Sequence, residues 1–88
     1  MANLNVELVA ANGKVWEGEA RMVRVRSVEG DLGVLPGHEP MLVALAPGEV
    51  HIRAEGGDDT TVEIDGGFMT VDSDHVTVVA ESVVRSGS

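Results

Sequence analysis

The chain has 88 residues, no cysteine and a formal charge of −9, set by 15 acidic residues against one lysine and five arginines. That length suits one domain around one core, and the lack of cysteine excludes disulfide staples and thiolate metal sites and fits a reducing compartment. The charge argues against nucleic acid or anionic lipid as a direct partner, and no apolar run approaches the roughly 20 residues that span a bilayer.

The N-terminus, Met1-Ala2-Asn3-Leu4, carries no basic region ahead of an apolar stretch, so the expectation is a soluble, intracellular protein without direct membrane insertion. Trp16 and Phe68 are the only aromatics, which leaves the core to Val, Leu, Ile, Ala and Met, and β-branched valines favour a pleated surface. Leu4, Val6 and Leu8 alternate with Asn3, Asn5 and Glu7, the period of a half-buried strand. Ala11-Asn12-Gly13-Lys14 is a hairpin signal, and Val15-Trp16 opens the return strand, interrupted at Gly18. From Ala20 to Val28 the phases separate again, with Val23 and Val25 on one face and Arg24 and Arg26 on the other.

Glycines and prolines then crowd into residues 30–40, which reads as a compact, exposed and specified connection. Met41 to Leu45 reads as a buried strand or one turn of helix, a choice periodicity alone does not make. Pro47-Gly48 is a turn, Val50, Ile52 and Ala54 oppose His51, Arg53 and Glu55, and Gly56-Gly57-Asp58-Asp59 makes the next hairpin. Val62 and Ile64 alternate with Glu63 and Asp65. Gly66-Gly67 then shifts the phase, by a bulge or close backbone approach, so that Met69 and Val71, or Phe68 alone, turn inward. Asp72-Ser73-Asp74 is a turn and His75 to Ala80 the final strand. Turn signals every 8 to 12 residues or so, and no helical stripe free of Gly or Pro, predict an all-β sandwich or barrel. Residues 1–81 form the domain. Residues 82–88 lose the pattern and read as a short flexible tail.

No enzyme site emerges. His38, His51 and His75 are never at the i, i+2 or i, i+4 spacing that aims two imidazoles at one metal. The Pro36-Gly37-His38 turn is loosely similar to a cupin metal motif, but the companion His-x-His is absent. Glu29, Asp31 and Glu39 are carboxylates that keep a loop soluble more readily than they form an acid/base pair. Asp72-Ser73-Asp74 lacks the later ligands of a calcium loop, Gly33 to Gly37 lacks the Gly-Lys-Ser/Thr of a phosphate cradle, and Lys14 lacks the neighbours of a lipoyl-carrier lysine. The bottom-up reading is a small acidic β-protein that works by contact, with no cofactor.

Glu29-Gly30-Asp31-Leu32-Gly33-Val34-Leu35-Pro36-Gly37-His38-Glu39-Pro40 resembles a signature of the epsilon subunit of bacterial F-type ATP synthases, Glu-Gly-(Glu/Asp)-hydrophobic-Gly-hydrophobic-x-Pro-Gly-His-(Ala/Ser)-Pro. Ala46-Pro47-Gly48-Glu49-Val50-His51-Ile52, Asp65-Gly66-Gly67-Phe68-Met69-Thr70-Val71 and Val76 to Glu81 are similar to that family's later strands, and Val6 to Gly18 to its opening. The resemblance implies a flattened sandwich of two five-stranded sheets, a non-catalytic central-stalk subunit that links the gamma subunit to the proteolipid ring, on the cytoplasmic face of the bacterial plasma membrane. By position it makes Glu29, Asp31 and His38 the ring contacts and Met41, Leu42 and Phe68 the gamma contacts. Glu39 departs from the family's small residue before the second proline. The family's usual C-terminal helical hairpin has no counterpart before Ser88, so no ATP binding and no inhibitory arm are expected of this chain. The rival expectations are a free-standing β-sandwich adaptor and, behind it, a small cupin-like metal enzyme.

Overall fold

The computed structural model describes residues 3–11, 13–54, 56–57 and 59–87, the last three of these by backbone alone. The parts assigned above to Met1, Ala2, Asn12, Glu55, Asp58 and Ser88 lie outside the described residues. Nine strands are described: β1 (Leu4–Ala10), β2 (Gly13–Ser27), β3 (Gly30–Val34), β4 (Met41–Leu45), β5 (Gly48–Ala54), β6 (Asp59–Ile64), β7 (Gly67–Asp72), β8 (His75–Ala80) and β9 (Val83–Gly87).

The 15-residue β2 explains the architecture. Its first half pairs antiparallel with β1, from Ala10↔Gly13 to Leu4↔Ala20, and its second half pairs with β3 and β5. In the first half the even residues Trp16, Gly18 and Ala20 face inward, and in the second half the odd residues Val23, Val25 and Ser27 do so. A change of phase requires one extra residue, and the register slips between Ala20 and Met22. There β2 leaves one sheet and enters the other, as strands do at the corners of orthogonal packings. Ala20 pairs with Leu4 on one side and Ala54 on the other and is fully buried.

With β2 counted in both, each sheet has five strands. One runs β2–β1–β8–β7–β4, the other β3–β2–β5–β6–β9. Among the described residues all ladders are antiparallel except β1–β8. The single pairing Ser27↔Leu45, with Val28 N–H donating to the Ala44 carbonyl (3.1 Å) and Ala46 N–H to that of Arg26 (3.0 Å), closes a second corner. The alternating residues of both inner faces form one core from Leu4, Val6, Leu8, Val23, Val25, Val34, Val50, Ile52, Val62, Ile64, Met69, Val71, Val76 and Val78. No aromatic is fully buried in it. Trp16 is partly buried against its edge, over Gly18, where a Cβ would stand 3.0 Å from the indole ring.

Three local readings are resolved or corrected. Met41–Leu45 is a strand, with Met41 to Leu45 paired against Val71 to Gly67. The Gly-rich stretch is only in part a connection, because Gly30–Val34 forms β3 against Val23–Ser27 and the loop proper begins after Val34. The expected flexible tail holds β9, whose Val83 to Gly87 pair with Ile64 to Thr61 of β6 across a bulge. Its ladder partner is some twenty residues upstream, and that non-local pairing supplies what the weak local pattern lacks.

Gly66-Gly67 is a close approach, as the sequence suggested. A Cβ on Gly67 would collide with the carbonyl oxygen of Val79, and Gly67 has φ of 142°, so both space and backbone demand glycine. The phase shift sends Met69 and Val71 inward and Phe68 outward. Gly67→Ala is therefore expected to destabilise the fold by at least about 2 kcal/mol. Gly33→Ala, whose Cβ would meet nothing within 4 Å, serves as the near-neutral control, with both read from urea denaturation midpoints.

Candidate docking faces

The outer faces of the two sheets differ in chemistry. On the β3–β2–β5–β6 face, cations and anions alternate across neighbouring strands. Arg26 Nε lies 3.6 Å from Asp31 Oδ1, Arg53 Nε 3.9 Å from Asp59 Oδ1, and His51 Nε2 3.3 Å from Glu49 Oε1, while His51 Nδ1 is 3.3 Å from Thr61 Oγ1. All these side chains are substantially exposed, so the pairs contribute little to stability and leave the face without a field of one sign. An open groove of about 320 Å³ runs between Arg24, Arg26, Asp31, Glu49 and His51. Its lining is mostly charged, with Val25 and Gly48 the apolar members, and it is open to solvent, unlike the largely apolar, enclosed pockets that hold small molecules.

The outer face of the other sheet grades from apolar to acidic. Cross-strand register places Ala44, Phe68, Val79 and Val9 in one row, Leu42, Thr70, Thr77, Glu7 and Glu17 in the next, and Asp72, His75, Asn5 and Glu19 in a third. Leu42 is 72% and Phe68 43% exposed, which is unusual for large apolar side chains sharing one face. At the acidic side, Lys14 Nζ bridges Glu7 (2.9 Å) and Glu17 (3.1 Å). The hydrogen bond from Lys14, and then its charge, hold the Glu7 carboxyl below its ordinary range; the hydrogen bonds to Glu7 and Glu17 hold the Lys14 ammonium above its own.

The sequence-predicted site residues fall into separate places. Glu29 is exposed in the β2–β3 turn, its N–H donating to Ser27 Oγ (3.1 Å), while that hydroxyl donates to the Gly30 carbonyl (2.7 Å). Asp31 follows on β3, paired with Arg26. His38 lies in the loop beyond the far end of β3, whereas Glu29 precedes that strand and Asp31 is its second residue. His38 N–H donates to the Leu35 carbonyl (3.2 Å), and Nδ1 lies 2.8 Å from the Glu39 carbonyl. A carbonyl only accepts, so in this contact Nδ1 is the donor. Of the expected gamma contacts, Leu42 and Phe68 share the outer face, but Met41 is on the opposite phase and packs against the core. Sequence reasoning missed Ala44, Val79 and Val9 on the apolar row. The signal was present in the adjacent pair Val78-Val79, which a strand must send to opposite faces. Among the described residues no group of three His, Asp or Glu is placed to hold a metal ion, and no helix is long and apolar enough to cross a membrane.

Two packed sheets, each with an exposed outer face, and a loop at either end of β3 define a small β-sandwich domain. The chain's residues 3–86 match the family model for the β-sandwich domain of the ATP synthase delta/epsilon chain, and the chain belongs to that family. It is 46% identical over 82 residues to an ATP synthase epsilon chain of Micrococcus luteus, covering 93% of this chain and 90% of the relative. It is 43% identical over 83 residues to one of Mycobacterium avium, covering 93% and 69%. Among solved structures, a chain in a cryo-EM structure of the Euglena gracilis mitochondrial ATP synthase that includes the c-ring superposes with a TM-score of 0.89 at 29% identity, over 96% of this chain and 54% of that one. A chain from the Tetrahymena thermophila mitochondrial ATP synthase central stalk and c-ring gives 0.75 at 16% identity, over 93% and 66%, a likeness of fold alone.

The Lys14 bridge has a definite pH signature. Glu7, with a lowered folded-state pKa, contributes stability present above its unfolded value and lost as pH falls through the folded one. Lys14, with a raised pKa, contributes stability present below its unfolded value and lost as pH rises through the folded one, so the bridge acts between these limits. In Lys14→Met the Glu7 carboxyl should titrate at higher pH than in the parent chain, as followed by carboxyl carbon-13 NMR; coincident curves would remove the bridge.

Proposed function

We propose that the chain is a non-catalytic central-stalk subunit of a membrane-associated F-type ATP synthase, which fastens the gamma subunit to the proteolipid ring at the cytoplasmic face of the membrane and so couples ring rotation to ATP synthesis. The observation that carries the reading is the match to the delta/epsilon sandwich over residues 3–86, supported by the superposition on the Euglena chain. The faces suit a coupling role. Rotational coupling needs two docking surfaces on one stiff body, and a closed sandwich with shared strand β2 supplies that stiffness.

The apolar row around Phe68, with Leu42 beside it, docks on gamma, because a large exposed apolar patch gains most from being covered. Glu29 and Asp31 meet basic groups of the ring loops. There exposed charges set register and association rate more than affinity. His38, in the loop beyond the other end of β3, makes a second contact with the ring loops.

The test is rebinding of the purified chain to solubilised ATP synthase depleted of it, with ATP-driven proton pumping as the second readout. Phe68→Arg combined with Leu42→Arg should weaken rebinding by at least about tenfold with the fold intact. Glu29→Lys combined with Asp31→Lys should slow association and reduce its sensitivity to salt, at an unchanged denaturation midpoint. Rebinding and pumping equal to the parent chain in both double variants would overturn the reading.

A further inference from the structure

Ser73 (φ 51°) and Asp74 (φ 62°) are the only non-glycine residues with positive φ among those described. They are the two central residues of the β7–β8 hairpin, flanked by the pair Asp72↔His75. A two-residue hairpin of this kind favours Asn-Gly, so the second position is one where glycine is the least strained choice. Asp74 carries two contacts there. Its carbonyl accepts from the N–H of Asn5 at the start of β1 (2.8 Å), which any residue could do. Its carboxylate Oδ1 accepts from the N–H of Gly37 (2.7 Å), which only this side chain can do.

Gly37 sits in the β3–β4 loop, in a turn that runs from Leu35 to His38. Pro36 occupies its second position, Gly37 its third with φ of 88°, and His38 N–H closes it on the Leu35 carbonyl. This is a type II turn, in which the third residue's N–H has no partner inside the turn. The Asp74 carboxylate takes that donor in a charge-assisted bond. It thereby joins the loop bearing His38 to the β7–β8 hairpin and, through its own carbonyl, to β1.

We propose that Asp74 is a positioning residue: its carboxylate, held in a left-handed backbone better suited to glycine, fixes the Pro36–His38 turn against the sandwich so that His38 is presented to its partner in one geometry. The functional half rests on the reading that the His38 loop is a partner contact. Two variants separate clamp from backbone. Asp74→Gly removes the carboxylate and relieves the backbone, whereas Asp74→Asn keeps an oxygen acceptor on a residue that also tolerates this conformation.

Asp74→Gly should leave the denaturation midpoint equal or higher, yet speed amide exchange at Gly37 by at least about tenfold and weaken rebinding to the depleted ATP synthase complex; Asp74→Asn should recover both toward the parent values. Unchanged exchange at Gly37 in Asp74→Gly overturns the clamp. A loss of rebinding that tracks a fall in midpoint reduces Asp74 to ordinary stabilisation and overturns it too. If exchange rises but rebinding is weakened only by His38→Ala, the positioning role fails while the contact stands. If neither variant affects rebinding, the contact fails as well.

Discussion

One residue too many in β2 is the constraint on which this structure depends. Sheet side chains alternate strictly, so a strand that kept a single phase from Trp16 to Ser27 would bury Arg24 and Arg26 and expose Val23 and Val25. Burying two guanidinium groups without partners would cost far more than a small domain's net stability provides. The slip between Ala20 and Met22 avoids that by rotating the second half of the strand, and the rotation carries it into the other sheet. The two five-stranded sheets, their common core and the orientation of their outer faces all follow from that step.

The same step divides the chemistry of the surface. The second half of β2 sends its arginines outward among Asp31, Glu49, Asp59 and His51, so that face is a mosaic of opposite charges. The first half borders a face whose far strands carry Phe68, Ala44, Leu42 and Val79. A protein with net charge −9 thus keeps a compact apolar area available for contact at one side and acidic residues around it, an arrangement that favours a covered interface over a ligand cavity.

Most strands were legible because only one side of each sheet is wet. Leu4, Val6 and Leu8, Val50 and Ile52, and Val62 and Ile64 declare themselves by period alone. β3 was hidden because Gly30 and Gly33 are turn signals in isolation; what makes Gly30–Val34 a strand is the adjacent ladder of β2. β9 was hidden for the related reason that its partner β6 is not its neighbour in the chain. The acids Glu29 and Asp31 were legible from their motif. Their separation from His38 was not, because it depends on β3 being extended. Met41 illustrates the remaining gap: it differs from Leu42 by one position, and the pleat sends it to the core instead of the surface.

The parallel pairing of β1 with β8 carries a consequence for how the chain acquires its shape. Asn5 meets His75, Val6 meets Val76 and Leu8 meets Val78, so β1 has one of its two neighbours about 70 residues further along the chain. Until β8 emerges, β1 has only β2 to pair with. Closing so long a loop is an entropic cost that must be met before its contacts stabilise anything, which places the chain among slow folders, in the millisecond-to-second range of β-sandwiches. During that interval the other edge of β1 keeps its backbone N–H and C=O groups unpaired, and Leu4, Val6 and Leu8 lack the β8 valines that share their core. Early synthesis is therefore when this domain is most prone to pair with the wrong strand, and when a chaperone or an already assembled partner has most to contribute.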